Sequence, residues 1–127
     1  MSSAPVVTRP ASLTLAAAQV ASEACRAKAN AIKCPMNIAI VDHTTYLLHF
    51  ERMPGCKITC IDISMSKAYT AAGHHAPTST WKDIVYPGGA AYGINNGNDG
   101  KFMYVPGGIP VAQAGVDAIM KLVEKKR

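Results

Sequence analysis

Between Thr14 and Lys33, small apolar residues return at three- and four-residue intervals: Ala17, Val20, Ala21, Ala24, Ala27 and Ala31, with Gln19, Glu23 and Arg26 on the other side. This spacing predicts an amphipathic helix. Thr14 is placed to cap its first amides. Cys34-Pro35 stops it, because the residue before a proline is driven out of the helical region. Alanine side chains shorten the distance between packed backbones, so this helix can lie close against a sheet.

The sheet is expected next. Met36 to Val41 reads as an apolar strand, Asp42-His43-Thr44-Thr45 as a turn and Tyr46 to Arg52 as the returning strand. The turn has no glycine, which argues against a tight two-residue loop. After Met53-Pro54-Gly55 a second helix should start close to Ile58, with Ile58, Ile61, Met65, Ala68 and Ala72 as its core stripe. Gly73 is placed to end it, leaving His74 and His75 at the negative end of the helix dipole.

Pro77 to Trp81 can open a short helix, and 87–100 is a glycine- and asparagine-rich loop of a length that is often functional. Phe102–Val105 and Ile109–Val111 are strand candidates around Pro106-Gly107-Gly108. Ala112–Glu124 closes the chain as a helix with Val116, Ile119, Met120 and Val123 inward. Such an order suits an α/β fold of the α+β kind, an antiparallel sheet with helices packed on it. Residues 1–11, with two prolines and two serines, are expected to form a flexible N-terminal arm, and 12–127 a single domain.

Bulk chemistry narrows the function. With 49% hydrophobic and 17% charged residues, the chain can bury a core and is neither a disordered tail nor a fibre. Its charge of +5 is spread along the chain apart from Lys125-Lys126-Arg127, with no stripe of arginines and aromatics. That pattern argues against nucleic acid and for an acidic or carboxylate-bearing ligand. Met1 to Ala11 lacks the features of a secretory signal and no apolar run is long enough to span a bilayer, so a cytoplasmic protein without membrane partners is expected. Cys25, Cys34, Cys56 and Cys60 read as reduced thiols, and Cys56 and Cys60 lack the spacing of a zinc site, so no metal centre is expected.

Several ordered segments carry a resemblance. Ile40-Val41-Asp42, Leu47-Leu48-His49-Phe50-Glu51-Arg52-Met53 and Asp62 through Ala72 resemble signature segments of the GlcG/HbpS haem-binding family, which includes the C-terminal domain of PduO-type proteins. Pro77-Thr78-Ser79, Tyr92-Gly93-Ile94-Asn95-Asn96 and Pro106-Gly107-Gly108-Ile109-Pro110-Val111 continue the match in the same order over roughly 12–120. The resemblance implies a profilin-like α/β sandwich, assembly into dimers or their multiples, and a link to haem or corrinoid metabolism. Fold likeness alone does not assign the activity.

Three departures bear on the pocket. His43-Thr44-Thr45 stands where the family often has a small residue and a glycine pair, and His49 stands where it often has a small residue. Val111 runs almost directly into Gln113-Ala114-Gly115-Val116-Asp117, so the C-terminal region looks shortened by a strand and a loop. Such a loss would leave a sheet edge for another subunit or the N-terminal arm to cover, and predicts a homo-oligomer of closed symmetry.

Candidate site residues follow. His74 and His75 are the sharpest pair, since imidazole ligates iron, but neighbours on a helix end point about 100° apart and do not share one metal. They can equally end the helix against its carbonyls. Arg52 can hold a propionate bidentately or form an ordinary ion pair. His49 and Glu51 project from one strand face, where they can bind a metal, move protons or simply meet solvent. Lys67 and Tyr69, in the most family-like helix, can act as acid or base or serve that helix structurally. The expected function is an oligomeric binder of haem or a related tetrapyrrole or small ligand, with haem as possible cofactor. The alternative is a metal-independent isomerase, lyase or cyclase using His49, Glu51, Lys67 and Tyr69 in the same pocket.

Overall fold

The computed structural model describes residues 3–110. The closing helix expected over 112–124, and Val111 of the second strand candidate, lie outside them. Residues 3–12 are exposed and carry no regular structure.

Helix α1 spans Leu15–Ala31, and the Thr14 hydroxyl accepts the Ala17 amide at 3.1 Å as its cap. At the other end Lys33 takes a left-handed backbone, φ 56°. There the Cys34 amide donates to the Ala29 carbonyl at 2.9 Å and the Lys33 amide to Asn30 at 3.1 Å. This is a Schellman closure with lysine in a place that favours glycine, and Pro35 follows it.

The buried face of α1 is Ala18, Ala21, Ser22 and Ala29. This corrects the expected stripe, of which Ala27 and Ala31 are exposed. Alanines occupy both sides of this helix, so their spacing marks its inner face only weakly. The hairpin it packs on selects the face instead.

Strands β1 (Asn37–Val41) and β2 (Leu47–Arg52) pair antiparallel, with Asn37 opposite Arg52, Ile38 opposite Glu51 and Ile40 opposite His49. The register then slips, so that Val41 meets Leu47 and Leu48 is the additional residue of a bulge. Asp42 explains the turn without glycine: its carboxylate accepts the Thr44 amide at 2.8 Å and the Thr44 hydroxyl, while its carbonyl accepts the Thr45 amide at 3.0 Å. Thr45 carries the positive φ, 73°.

Helix α2 spans Cys60–His74. It starts later than expected, and Ile58 is 71% exposed. Gly73 lies within it. The left-handed cap is His75, φ 56°, whose amide returns to the Ala71 carbonyl. The expected stripe is corrected too: Ile61, Met65, Ala68 and Ala72 are half-buried, and the fully enclosed residues are Thr70 and Ala71. The reason is that α2 is covered from two directions. It packs chiefly on β1, whereas α1 packs on both strands, and residues 102–108 lie across another side of α2.

Phe102–Val105 is not a strand, and neither Ile109 nor Pro110 is in one. Side chains do the work of a neighbouring strand: the Met103 amide donates to Thr70 Oγ1 at 2.9 Å, and Lys67 Nζ donates to the Pro106 carbonyl at 3.0 Å. Thr78 Oγ1 donates to the Val105 carbonyl at 2.8 Å and accepts the Gly108 amide at 3.1 Å. Thr78 opens the short 3-10 turn Thr78–Trp81, and two more such turns, Ile94–Asn96 and Asn98–Gly100, structure the 87–100 loop. The antiparallel sheet with packed helices is therefore as expected, with two strands among the described residues.

Candidate functional site

The expected residues fall in two neighbourhoods. The first lies between α1 and the end of β2. His49 and Glu51 occupy alternate positions of one strand and share a face, and that face turns towards α1 rather than towards solvent. Arg26 Nη1 of α1 donates to Glu51 Oε1 at 2.8 Å, and His49 Nε2 lies 3.4 Å from the same oxygen.

Burial pushes the Glu51 carboxyl up, but His49, the Arg26 charge and the neighbouring Ser22 hydroxyl together hold it below its ordinary value. Glu51 Oε2 and Ser22 Oγ are both buried without a well-formed hydrogen bond.

Arg26, Asn30, Glu51, Arg52, Met53 and Pro54 line an open cleft of about 440 Å³ beside this cluster. It adjoins a second depression of about 410 Å³, which shares Asn30, Met53 and Pro54 and adds Lys33, Cys34 and Pro35. Arg26 and Asn30 stand one turn apart on α1 and Lys33 follows three residues on in its closure, so the polar end of the helix and its cap form a wall along both. Arg52 reaches this cleft from the last position of β2. Arg26, Asn30 and Lys33 were not among the site candidates of the sequence. Their signal was that helical spacing, hidden because it lies outside the apolar stripe.

The second neighbourhood is the face of α2 under 94–108. His74 Nε2 meets the Tyr104 hydroxyl at 2.9 Å, and its ring stacks on Phe102 at 4.8 Å and lies 5.0 Å from Trp81. Tyr69 accepts from Asn98 Nδ2 at 2.7 Å through its hydroxyl, and Lys67 holds the Pro106 carbonyl. His75 stands apart, exposed at the helix end. The structure thus unites His49, Glu51 and Arg52 near one cleft, gathers Lys67, Tyr69 and His74 under a loop, and brings neither His74 nor His75 to Arg52. Among the described residues no three His, Cys, Asp or Glu side chains gather as a metal site, and no helix there is long and apolar enough to cross a membrane.

Titration should bound stability on both sides. Glu51, and Asp42 through Thr44, have lowered folded pKa values, so their contribution is present above the unfolded carboxyl range and is lost as pH falls through the folded values. Burial raises Cys25 and Tyr104, so their neutral forms favour the fold until pH climbs past their ordinary values, 9.0 and 10.0. Urea midpoints measured against pH should form a plateau that falls at both ends. Glu51→Gln should flatten the acid limb, and an unchanged limb would contradict the assignment.

These features define a small α+β domain in which a helix and a strand end flank a cationic cleft. The chain belongs to the family described as haem degrading protein HbpS-like, whose model matches residues 13–120. It is 39% identical over 101 residues to a 15.0 kDa protein from the dhaT-dhaS intergenic region of Citrobacter freundii, covering 80% of this chain and 71% of that protein. The crystal structure of Klebsiella pneumoniae ORFY, of family DUF336, superposes with a TM-score of 0.83 at 30% identity, over 87% of this chain and 77% of that one. The PduOC:heme complex has the same fold, with a TM-score of 0.70 at 21% identity over 88% of this chain and 93% of that one.

Proposed function

We propose that this protein is an oligomeric binder of haem or a closely related tetrapyrrole, and that the α1–β2 cleft receives the ligand's carboxylates. The observation that carries this is the pairing of Arg26 and Arg52 on one open cleft in a chain of an HbpS-like haem family. Two guanidiniums suit bidentate recognition of carboxylates. Met53 and Pro54 offer the wall an apolar macrocycle needs. A similarly folded protein has been crystallised with heme. Bound haem would supply a redox-active iron, while the residues of this chain bind and orient the porphyrin edge.

The catalytic alternative has less support from the geometry. His49 and Glu51 face each other and Arg26, while Lys67 and Tyr69 hold the 98–106 segment.

Titration with haemin should give a saturable Soret change with a defined stoichiometry. Arg26→Ala and Arg52→Ala should each weaken binding about tenfold, the size expected for losing one charge-assisted hydrogen bond. An equal response from an unrelated protein of the same charge would reject the reading. Light scattering at micromolar concentration should show more than one chain per particle, in line with closed symmetry.

A further inference from the structure

We propose that the α1–β2 cleft takes up a carboxylate by exchange: the incoming group displaces Glu51 from Arg26, and Glu51 accepts a proton and turns to the buried Ser22 hydroxyl. The inference rests on the reading above that the cleft receives carboxylates, and adds to it the internal group that the ligand must displace.

The cleft already holds a carboxylate of its own. Glu51 lines it together with Arg26 and Arg52, and Glu51 Oε1 accepts Arg26 Nη1 at 2.8 Å. An ionised ligand seated on Arg26 would meet this second negative charge, and neighbouring carboxylates disfavour each other's ionisation. The bond to be exchanged is weak, because the Arg26 side chain is 44% exposed and pairs at a solvent edge hold loosely. Arg52 forms no ion pair among the described residues, so it offers the ligand its first hold.

Two orphaned atoms show where Glu51 goes. Glu51 Oε2 and Ser22 Oγ are both buried without a partner, and Ser22 is fully enclosed. A protonated Glu51 supplies an O–H that donates to Ser22 Oγ and satisfies both. Burial pushes the Glu51 carboxyl up and, in the resting cleft, His49 and Arg26 oppose it; once the ligand occupies Arg26, burial prevails. One anion and one proton therefore enter together, the proton coming from solvent, and the net charge of the cleft is unchanged. The groups facing Glu51 are Arg26 and Ser22 from α1 and His49 on β2, while β1 sets the apolar Ile38 opposite it. Carboxylate binding should tighten as pH falls, until the ligand itself is protonated.

The test uses the full chain and two probes that carry carboxylates on different bodies, succinate and haemin, with haemin dimethyl ester as the form without them. Glu51→Gln should tighten binding of both acids about tenfold by removing the competing charge, and leave the ester unchanged. In an Arg26→Ala background the same substitution should change little, because the contested guanidinium is gone. Glu23→Gln makes the same charge change at an exposed position three residues before Arg26 and outside the cleft lining, and should bind as wild type. Calorimetry of succinate binding in buffers of different ionisation enthalpy should show proton uptake by wild type and His49→Gln, and none by Glu51→Gln. Circular dichroism checks that the variants keep the fold. Glu51→Gln that binds as wild type or more weakly, an equal gain in Glu23→Gln, or proton uptake lost with His49→Gln overturns the exchange while leaving the cleft reading in place. A response from succinate and none from haemin supports the exchange and makes a small dicarboxylate, not a porphyrin, the occupant. Binding of neither acid, or binding that ignores Arg26→Ala, overturns both.

Discussion

Replacing Gly108 with alanine should lower stability by about 3 kcal/mol or more, from overpacking against backbone together with the loss of well-formed hydrogen bonds. A Cβ at Gly108 would sit 2.5 Å from the Lys67 carbonyl oxygen, 2.7 Å from Thr78 Cγ2 and 2.9 Å from the Lys67 carbonyl carbon. Two of those atoms are helix backbone and do not swing aside. The same glycine donates its amide to Thr78 Oγ1 and accepts the Thr78 amide at 2.7 Å, so any shift breaks both bonds. Urea denaturation reads the loss as a lower midpoint. Gly73→Ala is the internal control: its Cβ would meet only Thr45 Cγ2, at 3.9 Å. It should raise stability by about 1 kcal/mol through helix propensity. Equal midpoints for the two variants would contradict the packing described for 106–108.

Substituting His74 by alanine should cost about 2 kcal/mol, less than for a fully buried aromatic because the residue is half-buried. It removes a ring packed among Phe102, Trp81 and Tyr104 and strips the Tyr104 hydroxyl, in a residue only 6% exposed, of its partner. His74→Phe keeps the ring and loses only the hydrogen bond, so about 1 kcal/mol is expected. Thermal or urea unfolding separates the two variants. Haem affinity of the folded protein should be unchanged in both. An alanine variant of wild-type stability that no longer binds haem would make His74 the iron ligand and remove its structural assignment.

Much of the framework was legible from short-range chemistry. Thr14 as cap, the stop near Cys34-Pro35, the hairpin about Asp42–Thr45 and the short turn after Pro77 each depend on a residue and its immediate neighbours. The family was legible as well, because its segments recur in order. What misled was any feature with two local solutions. Gly73 and His75 can both stand near a helix end; the helix continued one residue past Gly73, so the left-handed position fell to a histidine. Phe102–Val105 has strand-like residues, but strands need partners, and here the side chains of Thr70 in α2 and Thr78 in the following turn take up the hydrogen bonds instead.

The site divides in the same way. Sequence alternation placed His49 and Glu51 on one face of β2 and Arg52 on the other, since that follows from the pleat of a single strand. It also determined the spacing of Arg26 and Asn30 along one side of α1, and the glycine pair at 107–108. Which face of an alanine-rich helix turns inward, that Arg26 reaches Glu51 across 25 residues of chain, and that Arg26 and Arg52 line one cleft were decided only in the tertiary structure. Those contacts join residues distant in sequence. They depend on how α1 sits against the hairpin, and a local pattern of small side chains permits several such seatings where the packed fold selects one.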